Sequence, residues 1–158
     1  MTLSLGVSLP DRFLIRLLES MENIMSDLTS SLRLQHYDQP AMDRAHHRMT
    51  ALLGAFPRAS EEALRNLLHQ LMQTASDHFD QEERFMLATD YDDYETHRAE
   101  HQHFISMLTR FKQEIELGKT PNKLSLYEQL CSWQDEHQQS WDDPLAQHLR
   151  HTTCWKDS

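Results

Sequence analysis

Imidazole and carboxylate side chains concentrate between residues 77 and 104, where four histidines and nine acidic residues stand without a glycine or proline. The whole chain carries 11 histidines among its 158 residues. Neutral imidazoles and carboxylates are common ligands of transition metals in proteins. The composition of this stretch therefore predicts a metal site.

Several of these side chains recur at a helical spacing. His78 and Glu82 are four residues apart, and so are His97 and His101. Residues four apart share one face of a helix, with Cβ atoms about 6 Å apart, so each pair can reach one metal centre. Four predicted helices together offer seven candidate ligands: His46, His78, Glu82, His97, His101, His137 and Asp142.

The number of donors predicts a pair of metal ions. Five imidazoles and two carboxylates are too many for one tetrahedral zinc, which needs about four donors. Two octahedral irons or manganeses need about twelve donor positions, and five histidines, two bridging carboxylates and a bridging oxygen supply about eleven. One position stays open, and a small ligand such as O2 would bind there.

The elements that must position these ligands are predicted to be long amphipathic helices. With 3 glycines, 5 prolines and no runs of Val, Ile and Thr, the chain favours an all-α fold. Short loops between long helices predict an antiparallel up-down four-helix bundle with an additional N-terminal helix. The predicted helices span about 11–34, 41–56, 60–87, 94–117 and 122–142.

Boundary signals divide the chain into three predicted parts. Ser60 is expected to cap one helix, Gly118 to end the next, and Pro144 to kink or stop the last. His137 and Asp142, five residues apart, are expected on roughly the same side of that last helix. The predicted parts are an N-terminal extension with an amphipathic helix (1–40), the bundle (41–143) and a C-terminal tail (144–158).

Charge and hydropathy exclude other classes of function. A net charge of −10 argues against binding to nucleic acid, because phosphate backbones would repel the chain. No window approaches the roughly 20 apolar residues of a membrane span, and the N-terminus lacks the basic region of a signal peptide. Cys131 and Cys154 stand outside any CxxC pair, so we expect reduced thiols and a cytoplasmic protein.

Four motifs resemble those of the hemerythrins, and more closely those of their bacterial single-domain relatives. The motifs are MDRAHHRM, HFDQEERFM, HRAEHQHF and WQDEHQQSWD, and they extend from about Met42 to Asp142. Their spacing is His-x3-Glu, then His-x3-His fifteen residues after that Glu, then His-x4-Asp. The resemblance implies two non-heme iron ions joined by an oxo or hydroxo bridge, with O2 as the ligand.

The resemblance also implies a role for each candidate ligand. His46 is preferred to His47, because the apolar residues of the family's first helix, three, six, seven and ten positions later, follow only His46. Trp133 is expected to pack against the site, and Tyr91 stands where the family has a loop tyrosine. By this resemblance His97, His101 and His137 bind one iron, His46 and His78 bind the other, and Glu82 and Asp142 bridge them.

Two glutamines depart from the family pattern. Gln134 and Gln138 stand where bulky apolar residues usually wall the O2 pocket. Amides there offer hydrogen-bond donors and invite water, so we expect faster autoxidation than in a good O2 carrier.

These departures favour an oxygen- or redox-responsive sensor domain. An O2 carrier or storage protein and a di-iron peroxidase or oxidase are the alternatives. The excess of histidine over carboxylate argues against an enzyme, because ferritin-like oxidases are richer in carboxylates. The N-terminal helix could form a homodimer, pack on the bundle or pass a signal to a fused or separate output domain.

Overall fold

The computed structural model describes residues 40–120 and 122–152, and in these residues the chain is helical without a strand. The all-α prediction is thereby confirmed. The predicted N-terminal helix lies outside the described residues. The α-helices are α1 (Pro40–Ala55), α2 (Glu61–Ala88), α3 (Tyr94–Glu116), α4 (Lys123–His137) and α5 (Asp143–His151), with a 3-10 turn at Phe56–Arg58 and a π-helical segment at Gln138–Asp142.

The first four of these helices pack as a ring. Helix α1 contacts α2, α2 contacts α3, α3 contacts α4, and α4 returns to α1. Each connection is short, so successive helices run antiparallel, as in an up-down bundle. None of the described helices has the length and apolarity needed to cross a membrane.

The candidate ligands lie on the same helix faces as the apolar core. The buried stripe of α2 begins with leucines at Leu64, Leu68 and Leu71 and continues through Ala75 to His78 and Glu82. In α3 the order is reversed, because the buried histidines come first and Phe104 and Leu108 follow. Antiparallel packing therefore brings the polar halves of both stripes to the same end of the bundle, with the apolar core behind them.

Two predicted helix boundaries are found at their expected residues. The Ser60 side chain caps α2 by accepting a hydrogen bond from the Ala63 N–H at 3.2 Å. Helix α3 ends in a Schellman motif, in which Gly118 takes a left-handed φ of 74°. Its N–H donates to the carbonyl of Ile115, and the N–H of Lys119 donates to that of Glu114.

The last helix continues past the predicted break. At Gln138–Asp142 its turn widens, and the N–H of Asp143 donates to the carbonyl of Gln138, five residues back. Pro144, which has no N–H to donate, stands immediately after this wide turn in the first residues of α5. The α-helix then resumes to His151, so the first residues of the predicted tail are helical; the boundary at residue 143 itself stays a prediction.

Helix α5 packs on the end of the bundle that carries the candidate ligands. Its residues Leu145 and Leu149 are buried against Met86 near the end of α2. Partly buried Tyr91 from the α2–α3 loop packs on the same cluster. The Tyr91 ring also lies 4.9 Å from the ring of His148 on α5. The loop and α5 together cover this end of the bundle.

Candidate metal centre

The seven candidate ligands meet in one buried cluster. Helix α1 contributes one of them, α2 two, α3 two, and the last helix with its π segment two. None is more than 3% exposed: His46, His78, Glu82, His97, His101, His137 and Asp142. Neighbouring His47 is exposed on the surface of α1. The cluster therefore has the composition and burial of a metal site, although metal binding by these residues stays a prediction.

The imidazoles form two groups, each with Nε2 atoms pointing to a common point. In the first group, Nε2 of His46 lies 2.9 Å from Nε2 of His78. In the second group, Nε2 of His97 lies 3.3 Å from Nε2 of His137, and His101 joins them. With Glu82 and Asp142 added to the first group and Glu82 added to the second, the donor atoms of each set lie within 4.8 Å of one another, so each could hold a metal ion.

Glu82 connects the two groups. Its Oε1 lies 3.2 Å from Nε2 of His78 in the first group. Its Oε2 lies 3.1 Å from Nε2 of His101 in the second. One carboxylate therefore offers a separate oxygen to each group, which is the arrangement that a bridging ligand requires.

Asp142 connects the groups in the same way. Its Oδ2 lies 3.0 Å from Nε2 of His46, and its Oδ1 lies 3.1 Å from Nε2 of His137. Residues five apart in a regular α-helix point about 140° away from each other. The π-helical turn removes most of this divergence, because its hydrogen bonds join residues five apart. The wide turn thus lets Asp142 face the same centre as His137.

Glu82 and Asp142 are buried carboxylates, and a bound cation would stabilise their charges. All four carboxylate oxygens of Glu82 and Asp142 are buried, and each faces an imidazole Nε2 atom at 3.0–3.2 Å. Burial, together with the charge of Asp142, raises the pKa of Glu82 well above its usual range. Burial also opposes ionisation of Asp142, but the imidazoles, chiefly His137, outweigh it and hold the Asp142 pKa well below its usual range. Metal ions between the two carboxylates would relieve both the burial cost and the repulsion.

Three of the five imidazoles are held in the form that binds metal. Burial, reinforced by neighbouring imidazoles, lowers the pKa of His78 to about 3 and that of His101 to about 2. Burial also lowers the pKa of His97, although Asp142 opposes the shift. These rings are neutral at ordinary pH, so each has a nitrogen lone pair available to a metal.

Aromatic rings fix the orientation of two imidazoles. Phe79 stacks on His101, with ring centroids 4.0 Å apart and planes 6° from parallel. Trp133, expected to pack against the site, stacks on His137 at 4.3 Å and 16°. It also packs against Phe104, one turn further into the core. Rings held in this way keep their Nε2 atoms aimed at the cluster before any ligand arrives.

Gln134 and Gln138 are both buried beside the cluster. Nε2 of Gln134 donates to Oγ1 of Thr50 at 2.9 Å. Thr50 follows His46 by one helical turn, so this amide lies where α4 meets α1, on the side of the first group. That the two glutamines wall an O2 pocket stays a prediction.

Sequence reasoning missed some side chains that contact the ligands from outside. Nδ1 of His101 lies 3.1 Å from Oε1 of Glu83, and this contact joins α3 to α2. Thr50, the partner of Gln134, and Phe79, which stacks on His101, were not connected with the site either. Their roles depend on how neighbouring helices are rotated, which spacing along one helix does not reveal. The one feature of the sequence that could have indicated such a contact is that Glu83 follows the candidate ligand Glu82.

Comparisons with known proteins agree with this geometry. Residues 39–149 match a family model described as the hemerythrin HHE cation binding domain. The chain is similar to the bacteriohemerythrin of Aquifex aeolicus (strain VF5), with 29% identity over 117 residues, which cover 68% of this chain and 87% of that protein. A comparison with solved structures finds no significant match.

Proposed function

The chain belongs to the hemerythrin family, and from that membership we propose that its buried cluster holds two non-heme iron ions joined by an oxo or hydroxo bridge. One observation carries the proposal: Glu82 and Asp142 each direct one oxygen to the first imidazole group and the other to the second. In the proposed site the first group, His46 and His78, binds one iron and the second group, His97, His101 and His137, binds the other.

The donor count supports an open position beside the first group. Two imidazoles and two carboxylate oxygens would hold the first iron, and three imidazoles and two carboxylate oxygens would hold the second. An octahedral ion beside the first group therefore keeps a position for O2 after the bridging oxygen is counted. When bound, the iron pair supplies the electrons for reversible O2 binding. The protein contributes neutral imidazoles, bridging carboxylates and a buried site that restricts water.

We propose a sensing role, in which the oxidation or ligand state of the irons is the signal. Buried amides at Gln134 and Gln138 favour water near the open position and hence fast autoxidation. A site that passes quickly to the ferric state reports oxygen better than it carries it. The signal would reach an output domain, fused or separate, through the N-terminal segment or a homodimer formed by it.

An O2 carrier or storage protein is the second candidate. It is supported by the excess of histidine over carboxylate, since five imidazoles and two carboxylates make up the cluster. Neither candidate requires catalytic turnover, so we propose that the domain is not an enzyme.

Metal analysis tests the proposal directly. The full chain, purified without chelators or reconstituted with ferrous iron under anaerobic conditions, should hold two irons per chain. Replacing buried His46 by Gln should lower the iron content, whereas the matched change at exposed His47 should leave it at two. A single zinc per chain, or equal iron in both variants, would contradict the proposal.

Exposure of the ferrous protein to air separates the two candidates. Passage to the ferric form within minutes supports the sensor. An oxygenated form that persists and releases O2 under vacuum supports the carrier. Turnover of peroxide with an added reductant would contradict the non-enzymatic assignment.

A further inference from the structure

His101 differs from the other imidazoles of the cluster in the environment of its outer nitrogen. Nδ1 of His101 lies 3.1 Å from Oε1 of Glu83. The outer Nδ1 atoms of His78, His97 and His137 are buried and have no hydrogen-bond partner among the described residues. A carboxylate only accepts hydrogen bonds, so the imidazole must donate from Nδ1. Of these four rings, His101 alone has a carboxylate at its outer nitrogen.

Glu83 reaches His101 from the opposite side to Glu82. Consecutive residues of a helix point about 100° apart, so Glu82 faces the interior while Glu83 faces the groove between α2 and α3. This groove has a volume of about 420 Å³ and is lined in part by Phe79, Glu83 and His101. Glu83 is 23% exposed, whereas His101 is 2% exposed. The pair therefore runs from the edge of the buried cluster to the bottom of an open groove.

We propose that Glu83 is a positioning residue, whose carboxylate fixes His101 in the Nδ1–H tautomer and makes its Nε2 a stronger electron donor to metal. The Nδ1–H tautomer leaves the lone pair on Nε2, the atom that faces Glu82 and the second group. An anionic acceptor polarises the N–H bond and increases the basicity of the opposite nitrogen. The effect on electron donation rests on the proposed iron binding, whereas the tautomer of His101 does not.

A surface ion pair is a weaker account of Glu83. Its Arg or Lys partner among the described residues is Arg98, with an Nε–Oε2 distance of 3.7 Å and a side chain that is 43% exposed. Ion pairs this exposed contribute little to stability. The contact with His101 is shorter and more buried, so it is the stronger constraint on the Glu83 side chain.

Nitrogen NMR of the metal-free full chain tests the tautomer. In the wild type, we expect the His101 ring to show a protonated Nδ1 and an unprotonated Nε2. Glu83→Gln keeps an acceptor and should keep this tautomer, whereas Glu83→Leu, of similar size, should lose it. Arg98→Gln and the surface change Glu116→Gln should match the wild type. A protonated Nε2 in the wild type, or an unchanged tautomer in Glu83→Leu, would overturn the positioning role whether or not the protein binds iron.

The iron-loaded proteins test the electronic part. Loss of a hydrogen-bonding partner of a ligand imidazole weakens metal binding by roughly 10- to 100-fold, and we expect this for Glu83→Leu. Glu83→Gln should keep both irons but favour the ferrous state by about tenfold, which raises the reduction potential by about 59 mV. A potential equal to those of the wild type and Glu116→Gln would overturn the electronic part. Absence of iron from every variant would instead count against the proposed function and, with it, the electronic part.

Discussion

Two buried amides set the polarity of the cluster's surroundings. The amide nitrogen of Gln134 donates a hydrogen bond to Thr50, but its Oε1 is buried and has no hydrogen-bond partner in the described part of the chain. A buried carbonyl in this state favours a bound water molecule, provided there is room for one. Gln138, the first residue of the π segment, is buried beside the same cluster. Both side chains therefore affect how readily water and protons could reach a ligand bound at the proposed iron site.

Replacing Gln138 by Ile should slow autoxidation severalfold. The change removes an amide donor and substitutes a branched apolar side chain of similar size, which disfavours water near the proposed open position. The decay of the oxygenated spectrum in air would measure the rate. Exposed Gln139 provides the matched control, since Gln139→Ile leaves the buried surroundings intact. Equal rates in the two variants would contradict a role for the buried amide.

The metal-free protein should lose stability as the pH falls below about 6.5. On unfolding, His78, His97 and His101 recover their ordinary pKa and take up protons, because folding lowers the pKa of each. Their stabilising effect is lost progressively from pH 6.5 towards about 3. Glu82 has the opposite effect on the pH dependence of stability, because folding raises its pKa. We expect the three histidines to outweigh this single carboxyl group.

Urea unfolding in the presence of a chelator would measure this effect. The free energy of unfolding should be a few kcal/mol smaller at pH 5 than at pH 7. A surface change such as His47→Gln should leave the difference unchanged, because that side chain is exposed. Equal stability at the two pH values would show that the histidines are not held neutral.

The sequence predicted individual site residues where their spacing along one helix was sufficient. The choice of His46 over His47 followed from apolar residues on the same helix, and the structure places His46 inside and His47 outside. The pair His78 and Glu82 followed from a four-residue spacing. The contact between His101 and Glu83 could not be predicted, because it depends on the relative rotation of two helices.

The ends of helices could be predicted where they depend on hydrogen bonds between residues close in sequence. Ser60 and Gly118 act through hydrogen bonds to neighbouring residues, which their identity already implies. The π turn was not predicted, although two signals preceded it: a five-residue spacing between ligands, and Pro144 two residues beyond. A proline is compatible with a kink, a stop or a wide turn. Only the packing of Leu145 and Leu149 on Met86 decides that the helix continues.

Asn122 should stabilise the start of α4 without affecting the metal site. Its Oδ1 accepts hydrogen bonds from the N–H groups of Leu124 and Ser125, each at 3.1 Å. Asn122→Ala should lower the free energy of unfolding by about 1 kcal/mol, the usual cost of losing an N-cap. The change lies at the opposite end of α4 from His137, so the metal content should stay the same.

Chemical denaturation and metal analysis of this variant would test both statements. Gln129→Ala, at an exposed position on the same helix, is the control for a change of side chain without loss of the cap. A loss of metal in Asn122→Ala would mean that the two ends of α4 are coupled. Unchanged stability would mean that the cap contributes nothing.

The bundle as a whole combines an apolar half with a buried polar cluster that opposes folding when it is empty of metal. The apolar residues of four helices supply the stabilisation at one end. At the other end, burial and the charge of Asp142 disfavour the ionised form of Glu82, which raises the free energy of the metal-free state. Metal binding should therefore act on the stability of the entire molecule and not only on its site.

Replacing Glu82 by Gln should consequently have opposite effects on the two forms. The metal-free variant should melt at a higher temperature than the metal-free wild type, because Glu82, whose ionised form is disfavoured by burial and by the charge of Asp142, has become a neutral amide that needs no proton on folding. With metal at 100 times its Kd, the wild type should gain about 2.7 kcal/mol, or roughly 5–10 °C in Tm. The variant has lost a bridging charge and should gain much less. Calorimetry with and without metal would measure both, and a variant that melts lower than the wild type when metal-free would show that Glu82 serves the fold more than the metal.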